Sequence, residues 1–250
     1  MTTPYTTTHP LDGPSAVSRR VAYVLTGVPG AGKTSAVNSL LARHPRLAHF
    51  GVKSQALALI AEGHPEVVAM RHRFETGELA EDAEVRRLLE ISLQRLSAGQ
   101  RQIIIEGYPR SPQQFHDLDA VLKASSITLG GLIEVEISDE LSRLRTATRT
   151  ACEACGRPSP PVPHGELCGA CGATMRRRAD DDDLRAGIRL RDHRLCQESI
   201  HELFERDSEL FRLDGTRAPE AIADQIASVL GLPPGPDTGV GPAGPESEAC

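Results

Sequence analysis

The sequence predicts an α/β protein, a parallel sheet with helices on both faces, carrying one small insertion. Three observations predict it. Short apolar runs alternate with longer segments of helical period. The first run leads straight into the glycine-rich stretch G-V-P-G-A-G-K-T, Gly27 to Thr34. Further on, a stretch rich in Cys, Gly, Pro and Arg but poor in large apolar residues breaks the alternation.

The elements follow in order. Residues 1–18 carry Thr, Pro and Gly without period, and residues 231–250 are dominated by Gly, Pro and acidic residues. Both are expected to be flexible ends, because neither can bury enough apolar surface to offset its ordering entropy. Strands are expected at Val21 to Thr26, Leu47 to Phe50, Ile103 to Glu106, Leu132 to Ile137 and Leu210 to Asp214, each short and apolar enough for the interior of a parallel sheet. A helix is expected directly after the glycine-rich stretch, over T-S-A-V-N-S-L-L-A. Another is expected from Pro219 to Leu230, with Pro near its first position and Ile222, Ile226, Val229 and Leu230 on one stripe. The core is thus residues 19–149 and 179–230, interrupted at 150–178.

Composition narrows the function. With 28 Lys and Arg against 34 Asp and Glu the formal charge is −6, and only 3% of residues are aromatic, with no Trp. A nucleic-acid binder needs a basic surface and stacking platforms, so that role is disfavoured. No run approaches the roughly 18 apolar residues of a membrane span, and the first 20 residues lack the apolar middle of a signal peptide. The expectation is a cytoplasmic protein, a monomer, with neither a membrane nor a nucleic-acid partner.

G-V-P-G-A-G-K-T matches G-x-x-x-x-G-K-[ST] at every fixed position, with a strand before it and a helix after it. This is a phosphate-binding loop of the P-loop NTPase type. Gly27, Pro29, Gly30, Ala31 and Gly32 curl the backbone so that its N–H groups point at phosphate oxygens, and Lys33 reaches the β/γ-phosphates. Thr34 or Ser35 would offer a hydroxyl to Mg²⁺. A nucleoside triphosphate is the implied donor, and the loop alone says little more.

The third apolar run ends in E-G-Y-P-R-S-P-Q-Q, Glu106 to Gln114, at the strand edge where open α/β sheets bind ligands. Further along, R-L-R-T-A-T-R-T-A-C-E-A-C leads to C-G-A-C-G-A-T-M-R-R-R-A-D-D-D-D-L-R-A-G-I-R-L. Together with the phosphate loop, this order of motifs over residues 20–230 resembles the nucleoside monophosphate kinases, and most of all the adenylate kinases that carry a zinc-binding lid. The resemblance implies phosphoryl transfer from ATP to a nucleoside monophosphate. It implies that Arg110, Arg149, Arg178 and Arg189 act with Lys33 on the transferring phosphate, that Arg145 and Gly215 lie at the donor base, and that Glu106 acts near Mg²⁺ through water. It also places Gly51, Leu79, Ala80, Gly107, Arg110 and Gln114 at the acceptor, within an acceptor-binding segment at 48–82. Asp180 and Asp181 take the family's paired-Asp positions, although the run Asp180 to Asp183 also suits a solvated helix start.

Cys152 and Cys155, then Cys168 and Cys171, form two C-x-x-C pairs separated by a 12-residue gap. Four thiolates make a closed tetrahedral Zn²⁺ site with no open position, so the metal is expected to be structural and to order the lid at 150–178. Disulfides, a redox dithiol and an iron–sulfur cluster are the other uses of such pairs, and His164 is a possible replacement for one thiolate. Cys196 and Cys250 have no partner in sequence.

One family feature is missing. Where adenylate kinases carry T-G-D-x-x-R, this chain has G-V-K-S-Q-A, Gly51 to Ala56, without the Thr or the Arg that grips the acceptor phosphate. Lys53, Arg71 and Arg73 are the candidates to restore that charge, each equally suited to a surface role. The acceptor is therefore AMP or a related or modified nucleotide. A catalytically weak nucleotide-binding regulator and a kinase for a different phosphorylated acceptor fit the same residues.

Overall fold

The computed structural model of the chain describes residues 19–68, 71, 80–97, 99–154, 158–159, 165–169, 171–177 and 183–233. Five parallel strands form the central sheet: β1 (Arg20–Thr26), β2 (Ala48–Gly51), β3 (Gln102–Glu106), β4 (Ile127–Glu136) and, late in the chain, β8 (Glu209–Asp214). Their order is β2-β3-β1-β4-β8. The chain leaves β1 for one side of the sheet and returns beside β1 on the other with β4. The strand order therefore reverses at β1, and the crevice above its C-terminal end is where an open α/β sheet takes its ligand.

The apolar runs alternate between two cores. Ala22, Val24, Phe50, Ile103, Ile105 and Leu132 face a layer built from α2 (Val52–Ala61), α3 (Pro65–Val68), α4 (Asp82–Gln94), α5 (Pro112–Ala124) and α7 (Asp183–Asp207). Leu25, Ile104, Ile133, Val135 and Leu213 face α1 (Lys33–Arg43) and α8 (Pro219–Val229). With helices on both faces, the central strand β3 is buried on both sides over Ile103, Ile104 and Ile105, which is why its sequence there is continuously apolar, whereas the edge strand β8 keeps exposed charged residues. The α/β class expected from the sequence is the one found. In the first core Phe115 of α5 meets Phe204 of α7 edge to face, with ring centroids 5.0 Å apart.

Helix α7 is keyed in place by polar contacts as well. Glu134 of β4 is 1% exposed and lies 3.0 Å from His201 Nε2, and Gln197 Nε2 donates to its other oxygen. Burial raises the Glu134 carboxyl above its ordinary range. Arg194 reaches Asp139 at the start of α6 (Asp139–Thr148) and donates to the Ile137 carbonyl. These contacts fix which face of α7 looks along the sheet edge.

Two details differ from the sequence expectation. β4 begins at Ile127, five residues before the apolar run that announced it, because Gly130 and Gly131 interrupt the pattern. They are needed there: a Cβ on Gly130 would lie 2.6 Å from the Tyr23 and Val21 side chains, and one on Gly131, at φ 151, would lie 2.6 Å from the Glu209 carbonyl oxygen. Gly231 and Leu232, read as the start of the tail, close α8 through N–H bonds to Ser228 and Ala227, and Leu232 packs on the second core. The expectations for 1–18 and 234–250 lie outside the described residues.

Between α6 and α7 the chain forms a small antiparallel sheet, β5 (Thr150–Cys152), β6 (Pro158–Ser159) and β7 (Met175–Arg177), in the order β6-β5-β7. Among the described residues its apolar centre is Cys152, Cys168 and Met175, with Ala173 against them.

Candidate active site

The loop after β1 turns on three positive-φ glycines, Gly27 (φ 140), Gly30 (φ 79) and Gly32 (φ 94). At Gly27 the turn is also close-packed, since a Cβ would sit 2.4 Å from the Val135 carbonyl oxygen. Gly32 is the N-cap of α1 and supplies no side-chain partner, so the first N–H groups of the helix point out of its end together with its positive dipole. Ala31 is fully buried under the loop, the Pro29 carbonyl accepts from Ser142 Oγ at 2.7 Å, and Ser35 is half-buried in the first turn.

Lys33 Nζ donates to the carbonyls of Gly27 at 2.6 Å and Val28 at 3.1 Å, which holds it across the loop. Its ammonium is pushed down to about 8 by desolvation; Glu106 opposes the shift, and Arg149, Arg110 and Arg189 add to it. These three arginines come from the C-cap of α6, the loop after β3 and the N-terminal third of α7. The fold therefore brings three of the four arginines picked out in the sequence to the field of Lys33. Arg178, the fourth, lies outside the described residues, as do Asp180 and Asp181. Arg110 is itself lowered by burial first and by Arg189 next. Cations grouped in this way repel one another and are relieved by a polyanion.

Arg145, one turn before Arg149, donates to the carbonyls of Gly215 at 2.7 Å and Gly30 at 3.3 Å, joining the loop after β8 to the phosphate loop. Gly215 is fixed by space, because a Cβ would lie 2.8 Å from the Glu136 carbonyl oxygen.

At the end of β3, Gly107 (φ 81) turns the chain so that its carbonyl accepts from Arg110 Nε at 2.9 Å. Gln114 is buried in the first turn of α5; its carbonyl accepts from the Arg110 N–H at 2.6 Å and its amide donates to Asp82 at 2.5 Å. Gly51 precedes α2 beside Glu106, and Ala80 packs half-buried on the first core. Leu79 lies outside the described residues. Lys53 and Arg71 are exposed, and Arg73 is outside.

A family model described as an AAA domain matches residues 26–154. A protein of Symbiobacterium thermophilum named adenylate kinase is 30% identical over 173 residues, 67% of this chain and 78% of that protein. The chain belongs to the nucleoside monophosphate kinase family. Adenylate kinases of Rhizorhabdus wittichii and Syntrophobacter fumaroxidans match this kinase at 29% and 25% identity, each over 83% of it and over 98% and 99% of their own lengths. It is adenylate kinase-like, and a phosphotransferase.

Three of the four cysteines expected to hold a metal lie within the described residues and form a cluster that could hold one. The Sγ atoms of Cys152, Cys168 and Cys171 all lie within 4.8 Å of one another, with Cys152 and Cys171 at 3.4 Å. Thiolates around a tetrahedral zinc with Zn–S near 2.3 Å sit about 3.8 Å apart, so the three sulfurs suit such an ion. The Gly172 N–H bonds back to the Cys168 carbonyl at 2.8 Å, and Gly172 takes φ 72 to make that turn. Cys155, the expected fourth ligand, and His164 lie outside the described residues.

Two histidines of the site went unremarked in the sequence. His193 stands four residues after Arg189 on α7 and has a buried Nε2 with no hydrogen-bond partner among the described residues. Burial first, then Lys33, Arg194, Arg110 and His201, push it down to about 3, so the imidazole is neutral. Its helical spacing from Arg189 is the signal that would have marked it. His49 of β2 lies 3.2 Å from the Glu106 carboxylate. No local pattern marks it, since its partner is 57 residues away.

Proposed function

We propose that this kinase transfers the γ-phosphoryl group of ATP to a nucleoside monophosphate, AMP or a related or modified nucleotide. The observation that carries the reading is the grouping of Arg110, Arg149 and Arg189 around Lys33 at the mouth of a phosphate-binding loop. A transferring phosphoryl group spreads negative charge over its equatorial oxygens, and its transfer is catalysed by positioning and electrostatic stabilisation, which is what such a group of cations provides. Backbone N–H groups from Gly27 to Ser35 would hold the β- and γ-phosphates, and Arg145 with Gly215 would line the donor base. Mg²⁺, when bound, would neutralise charge on the donor phosphates. Thr34, whose hydroxyl donates to Glu106 at 2.6 Å, presents its lone pairs to such an ion.

On the acceptor side, Arg110 would grip phosphate while Gly51, Leu79, Ala80 and Gly107 line the pocket. Gln114 keeps one amide hydrogen after donating to Asp82, enough to mark one acceptor atom on a base. Arg178 would close on the phosphate from the lid, which Zn²⁺ on Cys152, Cys155, Cys168 and Cys171 would staple. Closure would exclude water and so direct phosphate to the acceptor and not to hydroxide.

A panel of nucleoside monophosphates offered with Mg²⁺ and ATP tests the reading. Turnover of at least one is expected. Tight ATP binding with no acceptor turned over would favour the regulator instead.

A further inference from the structure

At the C-terminal edge of β3 the Glu106 carboxylate is held from two sides. Thr34 Oγ1 donates to Oε1 at 2.6 Å, and His49 Nε2 lies 3.2 Å from Oε2. Both partners of the second contact are enclosed, with side chains 14% and 12% exposed. Space for the imidazole is built in: a Cβ on Gly51 would lie 3.1 and 3.3 Å from ring atoms Cε1 and Nε2, and 2.8 Å from Ser54 Oγ. One carboxylate thereby ties together the start of α1 and the ends of β2 and β3.

The direction of these bonds follows from chemistry. An ionised carboxylate only accepts, so Thr34 must give its single O–H to Oε1 and His49 must carry its proton on Nε2. The Thr34 oxygen then turns its lone pairs away from Glu106. A hydroxyl not held in this way rotates freely and presents its proton as readily as its lone pairs.

We propose that His49 is a positioning residue for the metal–nucleotide complex: by fixing Glu106 it locks the Thr34 hydroxyl as an oxygen ligand for the divalent cation that accompanies ATP. His49 itself touches neither the cation nor the nucleotide. This inference rests on reading the chain as a Mg²⁺-dependent ATP kinase.

The test is calorimetric ATP binding, with Mg²⁺ and with EDTA, to the full chain and to His49→Leu, His49→Asn and His49→Gln. The amide of Gln reaches Oε2 and that of Asn does not. Outer partners of metal ligands typically change metal affinity by 10–100-fold. The expected result is therefore an affinity for Mg²⁺–ATP about tenfold weaker in His49→Leu and His49→Asn, less than a twofold change in EDTA, and restoration by His49→Gln. Should His49→Leu fail to fold, the contrast between Asn and Gln decides alone. Equal losses with and without Mg²⁺, or wild-type affinity in His49→Asn, overturn the proposal while leaving the kinase reading intact. A wild-type chain that binds no ATP overturns both.

Discussion

Replacing Lys33 by Met removes a cation that the fold holds against its own preference, and the consequence is a stability difference with a definite pH dependence. The ammonium titrates at about 8 in the folded chain and at 10.5 when unfolded. Between those values the unfolded chain binds more protons, so wild-type stability rises with pH through that window, and the full penalty of the buried charge is present below it. Lowering the titration from 10.5 to about 8 corresponds to about 3 kcal/mol, of which about 2 kcal/mol is relieved between pH 7 and pH 9.5. Lys33→Met lacks this titration. In urea denaturation followed by circular dichroism, its stability relative to wild type is expected to fall by about 2 kcal/mol from pH 7 to pH 9.5. The hydrogen bonds of Lys33 to Gly27 and Val28 shift the difference at any one pH but contribute little to this slope. ATP reverses the balance, because its phosphates favour the charged amine, so binding at pH 9.5 takes up a proton, measurable from calorimetry in buffers of different ionisation enthalpy. A stability difference independent of pH would refute the argument that burial and the three arginines set the state of Lys33.

Three further outcomes follow from the same structure. Arg110→Ala and Arg189→Ala are each expected to lower kcat by about 10²–10³-fold, as loss of one electrostatic donor does, with little change in the urea midpoint. Cys168→Ser is expected to abolish stoichiometric zinc, measured by metal analysis, and to open the segment around 150–178 to limited proteolysis while the central sheet keeps its circular dichroism. Phe204→Ala, at a fully buried position, is expected to destabilise by about 3–5 kcal/mol, and a double-mutant cycle with Phe115→Ala to give a coupling of about 0.5–1.5 kcal/mol from their edge-to-face contact.

Much of this arrangement was legible because it is local. The phosphate loop is written in consecutive residues from Gly27 to Thr34, and the I-I-I run before Glu106 announces its strand and its edge together. The arginines could be picked out only through their resemblance to a family, because Arg110, Arg149 and Arg189 act on the field at Lys33 from three separate elements. The first half of β4 was hidden by Gly130 and Gly131, whose small size is dictated by neighbours on β1 and β8 that a local pattern does not contain. Helix α7 carries charged residues along most of its length, and its anchors are the Glu134 carboxylate and Phe115, both distant in sequence. His49 became meaningful only when parallel pairing set Gly51 opposite Glu106. T-G-D-x-x-R is missing, and of the residues proposed for the acceptor Gln114 and Arg110 are held in hydrogen bonds that link them to each other, to Gly107 and to Asp82.

The central claim is that cations from separate elements meet at the phosphate loop to move a phosphoryl group. Phosphorus NMR of ATP with the preferred monophosphate follows that transfer directly. The wild-type chain is expected to convert the pair to diphosphates, and a Lys33→Ala variant that keeps its fold is expected to do so at least 10²-fold more slowly. Wild-type turnover by that folded variant would contradict the account.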